Sequence, residues 1–401
     1  MEIGCVKEPG IDGIDMKNHK IKKILFVSQE GGVNGSTTSL ISLIKGIRQN
    51  QNVDIDITVA TPWMPGKDQP AREAFDTEKI KHVEMLYRIN YKSINKRNTL
   101  LEYMYDVWNF MAVGLMGCYI KRNKFDVICS NSVSVDVGAR AAKLTKTRHV
   151  YYVREFMEED HGLEFRNKRR MKKMLEFSDY IIFISKAIER KYMSQYMLKK
   201  TGQFYDDIEV KRYYVSNHDT FMKEKIFIVQ VGVFSEGKGT LNSIQMMHML
   251  HKAGIDMFHL EFVGDGDKYI EHRMREKIAK YELQNYITIS PYEKDVITKL
   301  SNADILLMNS RCEGFGRVTV EGMLAGCLVL GRNNAGTAEI VRDKINGFMY
   351  RNEQDFVGLI EYIIFNRKKA RMIAKCGQNW AVNEFSSGKC AQCFCQFVFD
   401  W

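Results

Sequence analysis

The sequence predicts an α/β protein made of two doubly wound parallel sheets that face each other across a cleft. Three observations carry this. Short apolar runs of strand length alternate with longer helical stretches along nearly the whole chain. The alternation lapses once, in the polar stretch "VSNHDTFMKEK" at 215–225, and then resumes. The 401 residues, 45% of them hydrophobic, suffice for a separate core on each side of that lapse.

In order, "KKILFVS" (22–28) reads as a buried strand, and the loop "QEGGVNGSTT" leads to a helix expected over 39–48 with Ser36 or Thr37 as its cap. Strands follow at "DIDITVA", "FDVICS", "RHVYYV" and "DYIIFIS", with helices near 99–122, 134–144 and 165–177. After residue 220 the series restarts at "IFIVQVG" and continues through "HLEFVG", "YITIS", "DILLMNS" and "CLVLG". Each half is Rossmann-like, and open sheets of this kind bind ligands beyond the carboxyl ends of their strands. The expected division is an N-terminal extension (1–21), a first domain (22–216), a second domain (217–385) and a poorly ordered tail (386–401).

The balance of 59 Lys and Arg against 49 Asp and Glu leaves a net charge of +10. A polyanion, an anionic membrane surface or a phosphorylated substrate suits that charge. Nine scattered cysteines fit a reduced, cytoplasmic protein rather than a disulfide scaffold. The first 23 residues carry several carboxylates and no continuous apolar stretch, unlike a secretory leader. The apolar run 107–120 contains Asn109 and falls short of the ~20 residues of a spanning helix.

"GVFSEGKGT" (232–240) matches the glycine and lysine spacing of a nucleotide-triphosphate loop. Such a loop wraps phosphate with backbone N–H groups and needs small residues between its glycines. Val233, Phe234, Ser235 and Glu236 stand there instead, so Gly232 and Lys238 are better read as a strand end and a cation at the cleft. "EGGVNGS" (30–36) has Glu30 where a dinucleotide fingerprint needs glycine. Gly31, Gly32 and Gly35 leave either a tight turn or a loop whose amides approach a diphosphate.

In "SRCEGFGRVTVEGMLAG" (310–326), Glu313 stands in a loop beside Gly314 and Gly316, and Glu321 lies eight residues later in an amphipathic helix. Two carboxylates about two turns apart, with the helix start between them, suit a sugar, a ribose and a phosphate.

This stretch resembles the retaining glycosyltransferases of family 4, which have the GT-B fold and a glutamate, seven residues and a second glutamate as their signature. "VGVFSEGKGT", "LEFVGDGD" with Gly264, "LSNADILLMNS" and "AGTAEIVRDKINGFMY" follow the family's order, and "DVICSNSVSVDVGARAAK", "YYVREF" and "SDYIIFISKAI" resemble members that build bacterial cell-surface polysaccharides. The resemblance spans about residues 22–385. It implies that Glu313 holds donor-sugar hydroxyls, Glu321 binds the ribose and Lys238 neutralises the diphosphate. Phe315 and Gly316 would contact the sugar, Val318 and Thr319 the phosphates, and Gly232, Gly264 and Gly32 would also lie on the donor side. The implied reaction moves a hexose from a UDP- or GDP-sugar to a saccharide or polyprenyl-linked acceptor, without nucleic acid, cofactor or metal. A non-catalytic scaffold and a nucleotide-sugar epimerase remain as alternatives on the same fold.

The sequence departs from the family at Val233 (commonly Arg), Tyr152 (often His), Ala335 (Gly) and Leu328 (Pro), and in its last residues, which look unlike the family's returning helix. Arg154, Glu155 and His161 are acceptor-side candidates; Arg154 and Glu155 can equally form a structural pair and His161 can be a solvated loop residue. Cys390 and Cys393 form a lone pair that suggests tail rather than metal site. Six basic residues within 166–173, together with the apolar 107–120 stretch, admit two readings. One is salt-sensitive attachment to the inner face of the plasma membrane; the other is a solvated basic face beside a buried helix.

Overall fold

A computed structural model describes residues 22–32, 35–50, 54–63, 70–94, 100–385 and 388–399; the expected extension over 1–21 lies outside them. Strands form at β1 (Lys22–Val27), β2 (Ile55–Pro62), β3 (Lys81–Met85), β4 (Tyr91–Ser93), β5 (Val127–Ser130), β6 (Arg148–Val153), β7 (Leu163–Phe165), β8 (Tyr180–Phe183) and β9 (Thr201–Gln203). The second series comprises β10 (Ile226–Val231), β11 (Phe258–Val263), β12 (Ile287–Ser290), β13 (Ile305–Met308), β14 (Leu328–Arg332) and β15 (Phe348–Tyr350). Each apolar run read as a strand is one. β3, β9 and β15 are short or polar and gave no such pattern.

The first sheet runs β3-β2-β1-β5-β6-β8-β9 and the second β12-β11-β10-β13-β14-β15, with β4 and β7 pairing antiparallel at the side. All neighbours within the two large sheets are parallel. Helices cover both faces, so central strands are buried along their length: Ile24, Leu25, Phe26 and Val27 of β1 are inaccessible to solvent. In each sheet the strand order reverses at one point, between β1 and β5 and between β10 and β13. The loops leaving the carboxyl ends of those four strands border the crevice that forms at such a reversal.

Two expectations are corrected. The helix after β1 spans Gly35–Gln49, so Ser36 and Thr37 lie inside its first turn rather than capping it, and the Thr37 hydroxyl donates to the Gly32 carbonyl at 2.7 Å. Residues 389–399 are a helix rather than a poorly ordered tail. After the helix Arg367–Glu384 the chain crosses to the first domain, where Phe394 packs on Phe26 and Phe397 on Tyr180 and Phe204. Cys390, Ala391, Phe394, Cys395, Val398 and Phe399 are buried there. Their spacing is that of one helical face, a pattern legible in the sequence but obscured by three cysteines in a short terminal stretch.

Candidate active site

A cavity of about 530 Å³ lies between the carboxyl ends of the two sheets. Its second-domain wall follows from the sheet reversal. β10 and β13 are neighbours in register, Ile228 beside Ile305, so the loops leaving them lie side by side although nearly eighty residues separate them in sequence. One loop brings Lys238 and the other Glu313. The Lys238 ammonium donates to Glu313 Oε2 at 2.7 Å, and the Ser310 hydroxyl donates to the same oxygen at 2.8 Å. The pair is partly accessible, with side-chain exposures of 35% and 12%.

The 232–240 loop is not a phosphate-wrapping loop. Five of its N–H groups are directed at the protein: Gly232 to Val263 O, Phe234 to Asp265 O, Gly239 to Glu236 O, Ser235 to the Thr240 hydroxyl and Lys238 to the Ser235 hydroxyl. Phe234 is buried. The start of the helix Arg317–Ala325 faces the cavity instead, through Phe315, Gly316, Arg317 and Val318. Thr319 stands behind it, its N–H donated to Gly316 O at 2.9 Å. Phe315 is fixed by stacking on Tyr205 at 5.6 Å and by an edge contact with Phe385.

The first-domain wall comes from the end of β6. Arg154 donates through Nη1 to both carboxylate oxygens of Asp206, at 2.9 and 3.0 Å, and through Nε to Asn131 Oδ1 at 2.9 Å. Its guanidinium also lies 4.0 Å from the centre of the Tyr152 ring. Burial disfavours the charge, but Asp206 outweighs that and holds the guanidinium protonated. Glu155, the next residue, accepts from the Ser132 hydroxyl, and burial pushes its carboxyl up to about 7 against the opposing effect of that bond. Arg154 and Glu155 therefore do not pair with each other; each has its own partner. Tyr152 itself is buried and turned to Asp206 and Cys390, so position 152 does not face the cavity.

The two walls touch. A side chain at Gly237 would meet the Asp160 carbonyl at 2.7 Å, and one at Gly314 the Arg154 carbonyl at 2.7 Å. Glycine at both positions lets the backbones of the two domains come into contact. Arg317 crosses the same seam, donating to the Ser39 hydroxyl at 3.1 Å and the Asp207 carbonyl at 3.2 Å.

Of the residues singled out from the sequence, Glu313, Lys238, Gly232, Phe315, Gly316, Val318, Arg154 and Glu155 line the cavity. Glu321, Gly264, Thr319 and Gly32 do not. Glu321 is buried, 3.7 Å from Arg317, and burial raises its carboxyl. Gly264 packs against the Gly232 carbonyl, which a side chain there would meet at 2.0 Å. His161 belongs to the short helix Glu158–His161, and its side chain lies outside the described residues. Arg317, Asp206 and Ser132 were missed. Arg317 sits inside the quoted glutamate stretch, but its hydrogen-bond partners Ser39 and Asp207 are in the other domain, and no local pattern marks Asp206 in "FYDDIEV".

Two doubly wound parallel sheets meeting at such a cleft are the GT-B fold of glycosyltransferases. Residues 216–380 match the family described as glycosyl transferases group 1, and the second α/β unit is a domain of that family. Anabaena Alr3699/HepE, solved in complex with UDP, superimposes with a TM-score of 0.77 over 94% of this chain and 100% of that one, at 19% identity. An uncharacterized 41.2 kDa protein in the cps region of Klebsiella pneumoniae is 29% identical over 43% of this chain and 44% of its own length. An uncharacterized glycosyltransferase of Methanocaldococcus jannaschii is 25% identical over 54% and 64%. The matches thus span less than half of the first of these curated relatives and less than two thirds of the second.

Proposed function

We propose that this protein transfers a hexose from a nucleotide-diphosphate sugar to a saccharide or lipid-linked acceptor in the cytoplasm, with retention at the anomeric carbon, in cell-surface polysaccharide synthesis. The observation that carries the reading is the accessible Lys238–Glu313 pair beside the start of the helix Arg317–Ala325, inside the cleft. When the bond between the sugar carbon and the diphosphate breaks, negative charge grows on the leaving oxygen. A cation and a helix N-terminus placed there stabilise it without a metal ion. Lys238 exchanges Glu313 for the diphosphate, which leaves Glu313 to bind sugar hydroxyls. The acceptor hydroxyl bonds to the anomeric carbon and gives its proton to the departing phosphate oxygen. UDP-hexose is the leading donor, because Alr3699/HepE was also solved in complex with UDP-glucose; GDP-hexose is the second. The glutamate pair supports retention through the family signature.

The test is incubation with UDP- and GDP-hexoses and a polyprenyl-diphosphate-linked saccharide, with the product linkage read by NMR. Transfer with retained configuration is expected, and Lys238→Ala should lower turnover by about 10²–10³-fold. Release of an epimerised sugar, or no turnover with any donor, overturns the reading.

A further inference from the structure

The helix Leu100–Asn123 is apolar on two opposite faces, and among the described residues only one of them is packed. Ala112, Val113, Met116 and Ile120 are buried against the first domain. Tyr103, Val107, Phe110, Met111 and Leu115 stand on the other side, Val107, Phe110 and Leu115 being 63%, 73% and 61% exposed. They follow the i, i+4, i+7, i+8 spacing of a single helical stripe. That stripe runs for about 27 Å at 1.5 Å per residue from Leu100 to Cys118 with no charged residue on it. It ends in Lys121 and Arg122, which fall on the same face and are exposed, as is Lys124 just beyond. A contiguous exposed apolar surface of this length marks an interaction site.

The basic cluster at 166–173 is not what completes it. Arg170 is held by Asp136 at 2.6 Å and Asp106 at 2.8 Å, Lys168 by Glu164 at 2.8 Å, and Lys172 lies 3.8 Å from Glu176. Three of the six charges of that cluster are thus balanced by the protein's own carboxylates.

We propose that the outer face of the helix Leu100–Asn123 lies in the surface of an anionic lipid bilayer, the apolar stripe among the acyl chains and Lys121, Arg122 and Lys124 at the headgroups. An apolar stripe closed by cations is the pattern of an in-plane interfacial helix, and the surplus of ten positive charges matches an anionic surface. Among the described residues no helix is long and apolar enough to cross a membrane, in keeping with a helix that lies on one. Asn109, the polar interruption of the apolar run, faces inward and clamps the Arg88 backbone, accepting from its N–H at 2.8 Å and donating to its carbonyl at 2.7 Å. Ile89 and Tyr91, just beyond, line the cavity. The membrane face is therefore tied to the first-domain wall of the site. If the transferase reading holds, this is where a lipid-linked acceptor would enter, but the attachment itself does not depend on that reading.

Flotation of the full chain with phosphatidylcholine vesicles, with and without phosphatidylglycerol, tests the proposal. Binding is expected with the anionic vesicles, weakening as salt rises. Val107→Ser with Phe110→Ser and Leu115→Ser should lower the vesicle partition at least tenfold with an unchanged melting temperature, since these side chains are exposed. Lys121→Gln with Arg122→Gln should lower it on anionic vesicles and remove the salt dependence. Failure of the wild-type chain to float, or equal flotation of the apolar variant, overturns the proposal. So does a wild-type dimer that the apolar variant dissociates, which assigns the face to a second copy, or an apolar variant that melts early, which places the face inside the fold.

Discussion

Lys238 with Glu313 and Arg154 with Asp206 are both cation–carboxylate pairs shorter than 3 Å, one on each wall of the cleft. Their surroundings differ. Lys238 is one third exposed, so water can take over part of its solvation when the pair opens. Arg154 and Asp206 are 5% and 2% exposed, with Asn131, Ser39 and Tyr152 completing their shell. Opening that pair leaves a charge in a dry site. The wall proposed to meet a charged donor holds charges that can change partners, and the opposite wall holds charges that shape it.

Asp206→Asn breaks the comparison most severely. It leaves the Arg154 guanidinium buried without a counter-charge, and we expect a loss of about 3–5 kcal/mol in urea denaturation. Glu313→Gln, which opens the accessible pair, should cost less than about 1 kcal/mol in the same measurement. Equal losses would mean that both walls are structural.

The next largest effect concerns Glu155. Its folded carboxyl keeps its proton to about 7, whereas the unfolded chain releases it near 4.5. Between those values the native state binds more protons, so this residue's contribution to stability falls as pH rises from 4.5 to 7. The cost above pH 7 is on the order of 3 kcal/mol. Glu155→Gln should remove it, and its stability relative to wild type should climb across that window in parallel denaturation series. A constant difference from pH 4 to pH 8 would show that the carboxyl is not desolvated.

Glu321 is the intermediate case, buried like Asp206 but on the second-domain side and linked to Arg317. If it meets the ribose, as the family signature implies, Glu321→Ala should weaken UDP binding by about 1.5–3 kcal/mol in calorimetry. Unchanged affinity would make it a support for Arg317, a charge that shapes the wall as Asp206 does.

Local periodicity determined a good deal of this protein from sequence alone. Strand-length apolar runs identified the central strands of both sheets, because a parallel strand covered on both faces must be apolar throughout. The glycine and glutamate spacing around Glu313 marked the loop that lines the cleft, since a turn feeding a helix start needs particular residues at fixed offsets. Contacts over long separations were not legible. Lys238 meets Glu313 only because β10 and β13 are neighbours at the sheet reversal, and Arg317 meets Ser39 only because the domains close on each other. For the helix Leu100–Asn123, two apolar faces satisfy the same pattern, and only packing against the first domain decided which one is buried and which is left outside. Burial depends on what lies opposite a surface, and that neighbour comes from elsewhere in the chain.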